Sequence, residues 1–398
     1  MNVLHFIGGS INSGASKAAL LLSDRLNKKK IQSKIYNKNS EYFLFLERIT
    51  KNIHFNKMNT TLSVGNVGFN FINTREYKEA DIVHLHWINK SLIKIDDILK
   101  IDKPIVWTIR DMWPFTGVCH YSFDCKKFTS KCKQCPQLRS KLKYDLSTYV
   151  FNKKKKIYNL KKIIFVAMSD WSFNLAKKST LLNNQKIYKF YNTFDDKNFK
   201  LINKIKAKKK LRLKTSEKIV VFGANNLHAK YKGIDYFLNA LEHLDQKVTV
   251  LLVGNFWKNF EINNKKINLI KFGFVKDLTK LNYIYAAGNV YVASSLQDNS
   301  PKMPIESMLS GTPCVYFKNT TIDEMNIHNK TGYGAKYRNS RDLAKGIKRI
   351  INSKKKMSIN VRKHVLKKFN QEKLIKKYIK LYHLLLKQKN SKFIEKLR

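Results

Sequence analysis

Two α/β domains, each built on a parallel sheet, and a long terminal helix are what the hydrophobic pattern of this chain predicts. Three observations carry the prediction. Short apolar runs of strand length alternate with segments of helical period. The alternation stops at a basic stretch, 204–215, and then restarts. From Gln371 onward, Leu374, Tyr378, Leu381 and Leu385 fall at helical spacing, with lysines on the opposite face. A length of 398 residues leaves room for two or three domains of roughly 100–200 residues each.

In the first half, Val3–Ile7, Asp81–Trp87, Pro104–Ile109 and Ile163–Met168 read as buried strands, because they are apolar on both faces. The loop Gly8–Gly14 follows the first of them. It leads into a helix with Ala15, Ala18, Ala19, Leu22 and Leu26 on one side. In the second half the strands are Lys218–Gly223, Val248–Gly254, Leu269–Val275, Val290–Ser294 and Pro313–Phe317. Helices are expected near Ile234–Leu244, Asp277–Ala286 and Arg341–Ile351. The domains are then 1–203 and 216–370, joined by a linker at 204–215 and followed by a basic helix at 371–398. Paired open sheets of this kind face a cleft at the carboxyl ends of their strands, where ligands of such folds bind.

Lys and Arg number 78 against 28 Asp and Glu, a formal net charge of +50. Such a charge attracts any polyanion, whether nucleic acid, an anionic lipid surface or a phosphorylated substrate. Its spread among Asn and Ile also fits a compositional bias, so charge alone does not name a function. With 43% hydrophobic residues the chain can build cores, which excludes wholesale disorder. No apolar run has membrane-spanning length, no signal peptide opens the chain, and five cysteines make no secreted disulfide framework. A cytoplasmic protein is expected.

Two segments suit phosphate chemistry. Gly8-Gly9 with Gly14 can bring backbone N–H groups close to an anion, although the spacing is neither a dinucleotide fingerprint nor a Walker loop. The run Ser294–Ser307 is more informative. It leaves a strand and carries Asp298, Ser300, Pro301, Lys302 and Met303 in a loop. Pro304 is expected at the first helical position, with Met303 as the N-cap and Glu306 in the first turn. Free N–H groups and the positive dipole end of that helix would hold phosphate, while the two carboxylates bracket a polyhydroxyl ligand.

This run resembles the Glu-x7-Glu loop of retaining glycosyltransferase family 4, with Asp298 at the first acidic position and Glu306 at the second. Further matches follow in family order. Gly8-Gly9 with Gly14-Ala15-Ser16 resembles the N-terminal donor-phosphate loop. Ser169 with Tyr191-Asn192-Thr193-Phe194-Asp195 resembles the close of the first domain. Lys230-Tyr231-Lys232-Gly233 resembles the Arg-Lys-Gly motif, and Phe272-Gly273-Phe274-Val275 the strand end beside the nucleotide base. The resemblance spans nearly the whole chain and implies the two-domain GT-B architecture. It also implies transfer of a sugar, with retention, from a UDP- or GDP-sugar. By it, Lys232 and the helix N-terminus would stabilise the leaving diphosphate. Asp298 would bind donor-sugar hydroxyls and Glu306 the ribose. Gly9, Gly14, Asn225, Lys230, Phe274, Val275 and the stretch Ser300–Met303 would complete the donor site. Where relatives carry a cation after the strand at Val220–Gly223, this chain has Ala224-Asn225, so either Lys230 would serve as the second cation or fewer charges would hold the donor phosphates.

His84-Leu85-His86-Trp87 and Thr108–Tyr121 resemble polysaccharide-cluster members similar to colanic-acid enzymes. Arg110-Asp111 stands where relatives often have His-Asp. His120, His86 or Arg110 would then replace the usual cleft histidine, with Trp87 and Asp111 beside it facing donor or acceptor. The variable stretch 37–68 and the cysteine segment would set acceptor specificity. The acceptor implied is a lipid-linked or oligosaccharide one in surface or capsular polysaccharide synthesis, at the inner membrane face. The basic surface would dock on anionic lipid there. No catalytic cofactor is expected.

Cys119, Cys125, Cys132 and Cys135 have the spacing C-x5-C-x6-C-x2-C. Lysines lie between them, which favours thiolates. A structural zinc site, reduced thiols or disulfides all remain open. Cys314 lies in an apolar strand and reads as core. An epimerase or phosphorylase of the same architecture is the alternative enzyme. A nucleic-acid-binding protein with a zinc module is the non-enzyme alternative, and neither a helix-turn-helix nor paired finger spacing supports it.

Overall fold

The computed structural model describes all residues except 39–40, 42–43, 47–60, 257–259, 263, 354–357 and 398. The lysine run 354–356 and much of the stretch 37–68 therefore lie outside the described residues. The chain divides into two compact units. One is Met1–Thr193 together with Gln371–Arg398, and the other is Phe194–Asn370.

The first unit carries six parallel strands: β1 (Asn2–Phe6), β2 (Gln32–Tyr36), β3 (Ile82–Leu85), β4 (Ile105–Thr108), β5 (Ile163–Ala167) and β6 (Lys186–Lys189), in the order β2-β1-β3-β4-β5-β6. Alternate residues of each strand face opposite sides. Leu4, Phe6, Val83, Leu85, Trp107 and Phe165 build the main core on one side. Val3, Ile82, Val106, Ile164 and Val166 face the other side, where the terminal helix Gln371–Leu397 lays Leu374, Tyr378, Leu381, Tyr382 and Leu385 on them. That helix, read from its spacing as an appendage, completes the first unit.

The second unit carries β7 (Ile219–Asn226), β8 (Val248–Asn255), β9 (Ile267–Gly273), β10 (Val290–Ala293), β11 (Cys314–Phe317) and β12 (Gly332–Ala335), also all parallel, in the order β12-β11-β10-β7-β8-β9. Counted from β7, this is the doubly wound order 3-2-1-4-5-6, and the strand order reverses between β7 and β10. In the first sheet the reversal falls between β1 and β3.

Three strands were missed by periodicity: β2, β6 and β12. Each is a sheet edge, and two of them are rich in polar side chains while β12 is Gly-Tyr-Gly-Ala. The stretch read as a linker carries a helix, Lys204–Lys210, and lies within the second unit. The helix expected to open at Pro304 opens at Lys302, with Pro301 as its N-cap. Pro304 is tolerated in that first turn because its missing N–H would have had no intrahelical acceptor. Glu306 accordingly sits in the second turn.

Candidate functional site

In the second unit, two loops meet where the sheet order reverses. The first follows β7 and ends in a single turn, Lys230–Lys232, before the helix Ile234–Glu242. Gly233 closes that turn at φ 64°, and a Cβ there would lie 2.1 Å from the Ser294 carbonyl oxygen. Only glycine allows the approach. The second loop follows β10. Ser294 Oγ donates to the carbonyls of Gly233 at 2.7 Å and Lys232 at 3.2 Å, and Leu296 N donates to Tyr231 O at 2.8 Å. Thr321 Oγ1 anchors the Asp298 carbonyl. This stitching sets Lys232 Nζ in an ion pair with Asp298 Oδ2, with side-chain exposures of 19% and 11%. Burial opposes the charge on Lys232, but Asp298 and Tyr231 outweigh it and raise its pKa above the ordinary lysine value.

The loop continues into the helix Lys302–Leu309, whose first N–H groups lack intrahelical acceptors. Met303 packs so close to Gly223 that a Cβ on the glycine would meet its methyl at 2.6 Å. Tyr285 Oη donates to Glu306 Oε2 at 3.1 Å, and Tyr291 Oη donates to Gly223 O at 2.7 Å. Sequence reasoning missed both tyrosines, since each is a plain apolar-face residue in its own element. The structure thus brings Lys232, Asp298, Ser300–Met303 and Glu306 around one strand-order reversal. Asn225 lies near the end of β7 itself, and Lys230 opens the single turn that follows it. Phe274 and Val275 follow β9, two strands from β7, and Phe274 is exposed.

In the first unit, Gly8 N donates to Trp87 O at 2.6 Å, which joins the glycine loop to the end of β3. Gly9 has φ 75°, and Ser13 caps the helix Gly14–Asn27. Asp111 accepts from Trp87 Nε1 at 2.7 Å and from Trp113 N at 2.9 Å, and it meets His120 Nδ1 at 2.5 Å. His120 Nε2 meets Ser63 Oγ at 2.9 Å. That connectivity is the one a serine nucleophile uses. Ser63 is only 2% exposed, however, so no substrate carbonyl reaches it, and the three groups act as a buried frame under Trp87.

Arg110 turns inward rather than toward a ligand. Its guanidinium donates to Asn192 Oδ1 at 2.8 Å and to His86 Nδ1 at 2.9 Å. His86 Nε2 then donates to His5 Nδ1 at 2.9 Å, in the tautomers this chain of bonds requires. His84 lies between Tyr382 Oη and Thr108 Oγ1, each at 2.7 Å. Burial, then Arg110, lowers His5 to about 3; burial likewise holds His84 and His86 well below 6.5 and brings Arg110 down to about 10. The histidines are neutral. Their ligand nitrogens lie within 4.8 Å of one another. A divalent ion there would have to displace the Arg110 bond and sit beside a guanidinium, so the trio suits a neutral hydrogen-bond chain better than a metal. His5 was not singled out from the sequence, and Asn192 was named only within the motif that closes the first domain, because their partners lie 81 and 82 residues away.

Residues 217–353 match the model of the family described as glycosyl transferases group 1. The matched stretch lies within the second unit. It includes the Lys232–Asp298 pair and Glu306. Among curated relatives, a putative colanic acid biosynthesis glycosyl transferase, WcaC of Escherichia coli K12, is 33% identical over 63 residues. That match takes in 15% of this chain and only 16% of the relative. A sucrose-phosphate synthase from Thermosynechococcus elongatus superposes with a TM-score of 0.68 at 15% identity, covering 98% of this chain and 100% of that one. HepE of Anabaena, crystallised with UDP and glucose, gives 0.60 at 15% identity over 96% of this chain and 99% of that one. These two likenesses show the shared two-domain parallel-sheet fold. Among the described residues, no helix is long and apolar enough to cross a membrane.

Proposed function

We propose that this protein transfers a sugar, with retention at the anomeric carbon, from a UDP- or GDP-sugar to a lipid-linked or oligosaccharide acceptor in surface polysaccharide assembly. The observation that carries the reading is the Lys232–Asp298 pair at the strand-order reversal, beside the N-terminus of the helix bearing Glu306. Nucleotide ligands of doubly wound sheets bind at this point. The leaving group is a nucleoside diphosphate, and the barrier falls if its growing charge meets a fixed cation and aimed N–H groups. Lys232 and the amides of Ser300–Met303 supply these, so the transfer itself needs no metal. Before donor arrives, Asp298 neutralises Lys232. On binding, phosphate takes the lysine and Asp298 turns to the sugar hydroxyls, while Glu306, oriented by Tyr285, takes the ribose.

The UDP and glucose held by HepE favour a uridine donor, and the resemblance to WcaC favours polysaccharide synthesis. The basic terminal helix would hold the protein on anionic lipid at the cytoplasmic membrane face. The test is nucleoside diphosphate release by the purified full chain across a panel of nucleotide sugars, with the product anomer read by NMR. Release from none of the donors, together with no thermal shift from UDP or GDP, overturns the proposal. Acceptor-free conversion of the donor sugar would instead mark an epimerase.

A further inference from the structure

Away from that site, Cys119, Cys125, Cys132 and Cys135 line one small cavity, with Gly117, Ser147 and Lys133 among its other walls. All four are free thiols, and three are buried. Backbone N–H groups of Gly117 near Cys132 and of Gln137 and Leu138 near Cys135 favour a thiolate, but burial outweighs them and pushes the Cys119, Cys132 and Cys135 thiols up. The backbone is also held in costly positions, with Gln134 at φ 44° and Arg139 at φ 49°, both left-handed without glycine.

A buried lysine adjoins this cavity. Lys154 is 0% exposed, and its Nζ donates to the carbonyls of Trp113, Thr116 and Gly117. Three carbonyl acceptors match the three protons of an ammonium, yet none of them is a carboxylate, and burial pushes the amine well below the ordinary lysine value. A buried cation without an anion is costly. The groups that act against that cost are Cys119 and Cys132 first, then Asp111, with the Trp113 ring 3.5 Å from the ammonium. Thr116 and Gly117, which hold Lys154, lie on the loop that joins the Asp111 frame to Cys119.

We propose that the four cysteines bind one zinc ion as a tetrathiolate and that Lys154 is its buried counter-cation. Binding forms four Zn–S bonds and releases four protons to solvent. The resulting unit carries two negative charges, one of which Lys154 offsets. Four cysteine ligands and no open position make the site structural, fixing the irregular loop that carries His120. Among the described residues the four sulfurs are not a group that already lies close enough to hold an ion, so binding has to draw them inward.

The test uses the full chain expressed with zinc, with metal content read by elemental analysis and Co²⁺ exchanged in. The expected result is one zinc per chain, and a cobalt form with sulfur-to-metal charge transfer and tetrahedral absorption bands. Cys132→Ser and Cys135→Ser should lose the ion, while Cys314→Ser should keep it. Lys154→Met should release zinc to a chelator at least tenfold faster. Substoichiometric zinc, cobalt without the sulfur band, or a mass deficit from disulfides in the native protein overturns the proposal. None of these readouts depends on transferase activity.

Discussion

Replacing Lys232 with Met would leave the Asp298 carboxylate nearly enclosed and without its cation. Breaking a fully buried pair costs about 3–5 kcal/mol, whereas an exposed pair is worth about 0.2–1 kcal/mol. With exposures of 19% and 11%, the expected loss lies between these limits, about 2 kcal/mol. For a unit of this size that lowers the melting temperature of the Phe194–Asn370 body by about 4–8 °C. Adding Asp298→Asn removes the stranded charge, so the double variant should recover to within about 1 kcal/mol of the parent. Activity should not recover, because the diphosphate has lost its cation. Calorimetry and nucleotide release on the four members of this cycle separate the two effects. A double variant as unstable as Lys232→Met would show that the pair is not coupled, and a double variant with restored turnover would remove Lys232 from the chemistry. Because the pKa of Lys232 is raised, the pair's stabilisation is fully present below 10.5 and fades as pH climbs through the elevated value.

Glu306→Gln keeps an oxygen for the Tyr285 hydroxyl, so stability should change by less than about 1 kcal/mol, while nucleotide affinity falls about 10–100-fold by calorimetric titration. Unchanged affinity would remove the ribose role. Gly233→Ala should cost about 1–2 kcal/mol for the left-handed backbone alone, and the clash with Ser294 should cut turnover further by displacing Lys232. Wild-type turnover would show that the loop does not position the lysine. His5, His84 and His86 are neutral when folded but ionise near 6.5 when unfolded. Stability should therefore fall as pH drops below 6.5 toward about 3, by about 1.4 kcal/mol per pH unit for each histidine. Urea unfolding at pH 7 and pH 5 reads this, and equal midpoints would contradict the buried-neutral assignment.

The central strands were legible because burial on both faces makes them apolar throughout. Of the edge strands only β9 was: β2 and β6 meet solvent along one side, and their lysines and glutamine read as loop. The site divided in the same way. Lys232, Asp298 and Glu306 stood out through local order, a strand end before a glycine and a proline-bearing loop before a helix. That Lys232 and Asp298 pair with each other depends on two chain segments 66 residues apart, which no local pattern reports. Lys154 looked like one lysine in a run of four, yet it is wholly buried while its neighbour Lys155 is exposed. Composition hid it, since a lysine-rich chain gives no local sign of which ammonium lies inside.

The terminal helix has a consequence for how the protein is made. Val3, Ile82, Val106, Ile164 and Val166 leave the ribosome early, but the residues that cover them, Leu374 to Leu385, are translated after the whole of the second unit. The first unit therefore waits with one face of its sheet bare while the second is synthesised and folds. A chain stopped at 370 would carry a complete second unit and an unfinished first one. A fusion or truncation at the C-terminus is in effect an alteration of the N-terminal half.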